Sequence, residues 1–350
     1  MYDKGFKELE IISQAVGNSP DMVQGGGGNT SVKLDSELMA VKASGYRLNQ
    51  IVGKEGFVVV NYRNIRDYCI NVDPSSGIDY EKDSTEFVKK NIVRLEGLKE
   101  LRPSVEAGFH SVLKKYVIHT HPVYANILCC CTTGEEMVEK IFKDKEYAAV
   151  WTRYINPGFS LSLEIMNAAD RCVVERGIFP EVIFMENHGL IVTCDDYERC
   201  IRLHSQVNEE IKKFLGICEP YPPISLEKLD ENTFESKTGY LIDFFKGSTV
   251  TEEFFEEKSL YPDQLAYLNG SISINSGGGA LQIDTGSGRL IYRTGYQNAL
   301  TMEETLLGYI YVLHKVEECG LTLKKLPQEG IDFIKGWESE KYRKKMIEKH

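Results

Sequence analysis

Tyr116-Val117-Ile118-His119-Thr120-His121-Pro122 is the stretch on which the reading of this chain turns. Its apolar, β-branched residues make it a strand, and side chains two positions apart share one strand face, roughly 6–7 Å apart at the backbone. His119 and His121 can therefore aim two ring nitrogens at one point. Upstream, Pro103-Ser104-Val105-Glu106 opens a short helix and offers a carboxylate. Downstream, His188 stands in Glu186-Asn187-His188-Gly189, directly after the apolar run Val182-Ile183-Phe184-Met185. A His-x-His pair alone is more often a hydrogen-bonded pair than a metal site. Three histidines with one carboxylate suit a divalent ion with an open coordination position, most simply Zn2+, with Mn2+ or Co2+ as alternatives.

Around this stretch, strands and helices interleave without a repeated βαβ period. Helices are expected over 3–17, 86–98, 123–130, 135–142, 160–176 and 196–216. Strands are expected over 38–42, 56–60, 182–185 and 190–193, and after the turn Gln24-Gly25-Gly26-Gly27-Gly28-Asn29. This pattern favours an α/β sandwich with a largely antiparallel sheet. Pro220, Pro222 and Pro223 then break the helical pattern. Beyond them come short strands (265–269, 272–274, 280–284, 289–293) and an amphipathic helix (301–318). The expected division is a catalytic domain over 1–218 and a smaller α+β lobe over 224–350.

The 350 residues are 42% hydrophobic and 27% charged, ordinary for a globular protein with a sizeable core. A net charge of −11 argues against nucleic acid or anionic membrane as partner, while leaving room for a small anionic substrate in a local positive pocket. No apolar run approaches the ~20 residues that cross a bilayer. Met1 to Lys7 lacks the apolar segment of a signal peptide. Nine cysteines without framework spacing, Cys129-Cys130-Cys131 among them, read as buried thiols in a cytoplasm.

Five ordered motifs resemble the class II (zinc-dependent) aldolase/adducin family. They are Gly28-Asn29-Thr30-Ser31-Val32-Lys33, Ala43-Ser44-Gly45, Pro103-Ser104-Val105-Glu106, His119-Thr120-His121-Pro122 and Asn187-His188-Gly189, all within roughly residues 5–215. The resemblance implies that family's α/β/α sandwich, with His119, His121 and His188 holding the metal and Glu106 as the acid/base. It implies that Gly28, Asn29, Ser44, Gly45 and Ser104 receive the anionic end of a sugar substrate. Tyr147 and Tyr154 lie where the family places a tyrosine acid, and Tyr154, ahead of Pro157-Gly158, is the one we select. His110, one turn beyond Glu106, reads as support rather than ligand. His204 and His314 read as helix residues. The implied activity is retro-aldol cleavage of a ketose phosphate to dihydroxyacetone phosphate and an aldehyde, by a homotetramer. A 4-epimerase or a dehydratase of the same family would use the same groups. Where the epimerases resemble Asp at the position of Glu106, this chain has Glu. An adducin-like interaction module would lack the three histidines. Residues 224–350 have no counterpart in the short members, and Trp337 to Arg343 faintly resembles the long rhamnulose-phosphate aldolase relatives.

Overall fold

A computed structural model describes residues 2–73 and 76–336; Trp337 to Arg343 and the terminal His350 lie outside the described residues. Seven strands form the first sheet: β1 (Asn29–Lys33), β2 (Leu38–Lys42), β3 (Phe57–Asn61), β4 (Tyr116–Thr120), β5 (Ala149–Thr152), β6 (Val182–Met185) and β7 (Gly189–Cys194). Their order is β3-β2-β1-β4-β7-β6-β5, and every pairing is antiparallel except β5 with β6.

Period-two alternation builds a layer on each face. Ile118, Val182, Phe184, Leu190 and Val192 face one core, against the helices Asp3–Gly17, Val123–Cys129 and Tyr197–Leu215. Their strand neighbours Val117, Ile183, Met185 and Ile191 face another, against Ala107–Val112 and Phe159–Arg176. The result is the expected helix–sheet–helix sandwich. Register brings the chemistry to one end of the sheet: Asn29 on β1 pairs with His119 on β4, and Met185 pairs with Gly189 across the turn that carries His188.

The second sheet has strands β8 (Leu226–Asp230), β9 (Thr233–Ser236), β10 (Ile272–Ile274), β11 (Leu281–Asp284) and β12 (Arg289–Tyr292), in the order β10-β11-β12-β9-β8. The long helix Tyr296–Glu318 packs on Val123–Cys129 and on the helix Pro262–Leu268. Buried residues from Phe6 to Val316 form one continuous hydrophobic cluster, so the two sheets share a core. All nine cysteines are free thiols, and Cys129 to Cys131 are buried in it.

Two elements differ from the sequence expectation. Residues 265–269 belong to a helix, Pro262–Leu268, with Pro at its first turn, where a missing N–H costs nothing. The expected helix over 86–98 is Tyr80–Lys90 instead, started by the Asp79 carboxylate accepting from Lys82 N and ended at Asn91, after which Ile92 bridges to Val60. Among the described residues no helix is long and apolar enough to cross a membrane.

Candidate metal centre

His119 and His121 leave the end of β4 on the face of Val117, where the Phe109 ring meets His119 edge-on at 5.6 Å. His188 projects from the three-residue turn between β6 and β7, whose tightness puts Asn187 at φ +51°. The three ring centroids lie 4.9, 5.1 and 5.3 Å apart. One nitrogen from each ring falls within 4.8 Å of the others. The Nε2 atoms of His119 and His121 are 3.2 Å apart. Around a tetrahedral zinc, ligand nitrogens are separated by roughly 3.3 Å.

The opposite edges of the rings explain the orientation. His119 Nδ1 donates to the Leu190 carbonyl at 3.0 Å. His121 Nδ1 meets the Asp263 carboxylate. Each Nδ1 therefore carries a proton, which turns an Nε2 lone pair of each ring toward the other. Burial pushes the His119 pKa well below its ordinary value, so that ring is neutral. Glu106 closes the fourth side, its carboxylate 3.3 Å from His188 Nε2 and 3.7 Å from His119 Nε2. Three converging nitrogens and a carboxylate, all buried, fit a divalent cation.

Behind Glu106 runs a polar chain. The Asn29 amide donates to Glu106 Oε2 at 2.5 Å and to Ser104 Oγ at 3.2 Å. The Asn29 carbonyl oxygen meets His110 Nε2, and Ser31 Oγ meets His110 Nδ1 at 2.7 Å. Burial lowers the His110 pKa to about 3, so its ring is neutral. It donates through Nε2 and accepts from Ser31, which fixes which way the Asn29 amide points.

The remaining selected residues fall as follows. Gly28 is left-handed (φ +63°), and a Cβ there would come within 2.6 Å of the His119 carbonyl oxygen, so only glycine lets the turn pass under the centre. Ser44 and Gly45 follow β2, and Ser44 N donates to Arg102 O, which ties that turn to the Ser104 segment. The Tyr154 hydroxyl donates to Asn156 at 3.1 Å, its backbone N–H donates to Glu186, two residues before His188, and its ring lies against Gly330 and the cluster of Leu265, Leu326 and Ile334. Tyr147 is buried in the main core.

Sequence reading missed the contribution of the C-terminal helices. Asp263 reaches His121, and Glu304 accepts from Gly25 N at 2.7 Å while pairing with Arg47 at 2.9 Å. Asn187 Nδ2 donates to the carbonyls of Leu260 and Lys324, both at 2.8 Å. Glu186, beside it, pairs with Lys324 at 2.6 Å. The available signal for Asp263 was Tyr261-Pro262-Asp263-Gln264, a helix start with Pro and an acid in the first turn.

The chain belongs to the Class II Aldolase and Adducin N-terminal domain family, which matches residues 12–212. A relative in Bacillus subtilis (strain 168), the uncharacterized oxidoreductase YuxG, is 28% identical over 222 residues; the match takes in 61% of this chain and 30% of that protein, most of which lies outside it. Among solved structures, the N-terminal class II aldolase domain of a conserved protein from Thermoplasma acidophilum is 26% identical, with a TM-score of 0.51 over 61% of this chain and 95% of that one. A sugar-phosphate aldolase from Thermotoga maritima is more distant, 14% identical with a TM-score of 0.43, over 62% of this chain and 97% of that one.

Proposed function

We propose that the chain is a metal-dependent aldolase that reversibly cleaves a ketose phosphate into dihydroxyacetone phosphate and an aldehyde. The observation that carries this is the convergence of His119, His121 and His188 with Glu106 at the buried end of the sheet. His119, His121 and His188 would hold Zn2+ or another divalent cation, which would supply Lewis-acid polarisation of the substrate carbonyl. Glu106 moves the proton at the carbon of the breaking bond. Asn29, locked by His110, keeps one carboxylate oxygen of Glu106 hydrogen-bonded and leaves the other directed at His188. Gly28, Asn29, Ser44, Gly45 and Ser104 are assigned to the anionic end of the substrate.

The second proton, at the oxygen of the aldehyde fragment, is assigned to Tyr154. Burial raises the pKa of its phenol, so it is the donor to the aldehyde oxygen in the condensation direction, and in cleavage the same oxygen takes that proton back. Turnover of Tyr154→Phe equal to that of the parent would remove it from the mechanism. Assembly is proposed to be a homotetramer, and the compartment the cytoplasm, in keeping with nine free thiols. A monomer by light scattering with full activity would overturn the assembly.

Metal analysis coupled to a screen for dihydroxyacetone phosphate release across ketose 1-phosphates tests the reading. One equivalent of metal and fragment release are expected. Inversion of a sugar phosphate without release would instead identify a 4-epimerase using the same bond-breaking step.

A further inference from the structure

The three histidines are supported unequally on their outer edges. His119 Nδ1 has a neutral carbonyl, Leu190 O, within the same sheet. His188 Nδ1 has no hydrogen-bond partner among the described residues. His121 alone has a carboxylate, and it comes from 142 residues further along the chain. We propose that Asp263 is a positioning residue of the metal centre, holding His121 in the tautomer and orientation that present Nε2 to the ion. The inference rests on the metal reading of the three histidines.

The physical argument starts with a free imidazole, which exchanges its proton between two nitrogens and rotates about two bonds. A carboxylate on Nδ1 ends both freedoms and makes Nε2 more electron-rich, so the metal gains a stronger and better-aimed donor. Asp263 suits this task because it is itself fixed. It lies in the first turn of Pro262–Leu268, where the helix dipole favours a negative charge. That turn is pinned by Gln264, which accepts from Leu260 N at 2.8 Å and donates to Phe255 O at 2.9 Å. Asn187, next to the ligand His188, grips the same segment through the Leu260 carbonyl.

The run of glycines before β1 is shaped to admit this carboxylate. A Cβ at Gly27 would stand 3.0 Å from His121 Nδ1 and closer still to the Asp263 oxygen. Tyr267, one turn beyond Asp263, lies over Gly26, and Thr301 lies over Gly25. Three consecutive glycines here leave room for C-terminal side chains, and at Gly27 a Cβ would enter the space that the Asp263 carboxylate occupies beside His121. The metal site is in this sense a joint product of residues from both sheets' ends of the chain.

The test uses the full chain, stripped of metal, titrated with Zn2+ against a chromophoric chelator and with Co2+ by its visible absorption. Asp263→Asn keeps the shape and an acceptor oxygen but loses the charge, and Asp263→Ala removes both. Affinity should fall about 10- to 100-fold, more for Ala than for Asn, with an altered Co2+ spectrum. Thermal unfolding of metal-free Asp263→Asn should stay near that of the parent, and it carries the test where Asp263→Ala does not fold. Glu304→Gln, which loosens the lobe without touching a ligand, serves as the comparison. Parent-like affinity in Asp263→Asn and Asp263→Ala would overturn the proposal. So would an equal loss in Glu304→Gln, since the effect would then be lobe docking. A parent that binds no metal would instead overturn the metal reading beneath it.

Discussion

Glu106 and His121 face the same buried point, yet their supports are built in opposite ways. Glu106 is backed by Asn29, His110 and Ser31, all from the first sheet or the helix beside it and all inside the matched family region. His121 is backed by Asp263, which lies outside that region, on the helix Pro262–Leu268. The acid/base end of the centre is thus self-contained, while one ligand of the proposed metal depends on a part of the chain with its own sheet. Chemistry held by neighbouring strands needs only correct register. Chemistry held across lobes also needs the docking surface, and here that surface includes the glycine run.

The largest effect should come from removing a ligand that both supports exist to serve. His188→Ala or His119→Ala should drop bound metal from about one to under about a tenth per chain, measured by elemental analysis of protein that still folds. Retention of the full complement by either variant would mean that the three histidines do not share an ion. Glu106→Gln comes next. Metal content should stay near normal while turnover of an identified substrate falls roughly 100-fold or more, because an amide fills the space without carrying the proton. Loss of metal together with activity would make Glu106 a ligand first, and would erase the division of labour drawn above.

Asn29→Ala probes the self-contained support. It leaves Glu106 without its amide donor and His110 Nε2 without its acceptor, both inside the fold. An unsatisfied buried polar group costs about 1–3 kcal/mol, so urea unfolding should register a loss of that order. Turnover should fall by less than in Glu106→Gln, since the carboxylate remains. A variant as stable as the parent would show that water replaces the amide, and that the chain behind Glu106 is less rigid than its geometry suggests.

These contrasts also explain what could be read in the sequence. Asn29 came from the family resemblance, as a substrate residue and not as the support of Glu106, whereas His119, His121 and His188 could be picked out because each sits on a strand end or a tight turn, where local spacing fixes direction. The sandwich was legible for the same reason, since Val182 to Met185 and Leu190 to Cys194 alternate between two cores with period two. Asp263 was not, because no local pattern encodes a contact 142 residues away. The apolar run Leu265-Ala266-Tyr267-Leu268 also reads as a strand once the proline and acid before it are passed over. The glycine run was legible as a place needing no Cβ, but what fills the space, Asp263, Tyr267 and Thr301, is fixed only by tertiary packing.

The smallest expected effect concerns a third support, on the opposite face of β4. Thr120, between His119 and His121, turns away from them and hydrogen-bonds His204 Nε2 at 2.6 Å. Burial in the Tyr197–Leu215 helix lowers the His204 pKa from 6.5 to about 4. The sign follows from proton uptake. Between pH 6.5 and about 4 the unfolded chain binds a proton at this position and the folded chain does not. Stability contributed by the neutral ring is therefore full above 6.5 and is lost as pH falls, by about 1.4 kcal/mol per pH unit across that window. His204→Gln keeps a group that can pair with Thr120 and removes the titration. Urea unfolding of the metal-free proteins at pH 7 and pH 5 should show a smaller acid loss in the variant than in the parent. His110, neutral for the same reason, keeps the variant's own slope in the same direction. Equal slopes in parent and variant would mean that His204 takes up its proton in the fold as it does in the unfolded chain. The Tyr197–Leu215 helix would then back β4 with a ring that charges as freely as in the unfolded chain, rather than with one that burial keeps neutral.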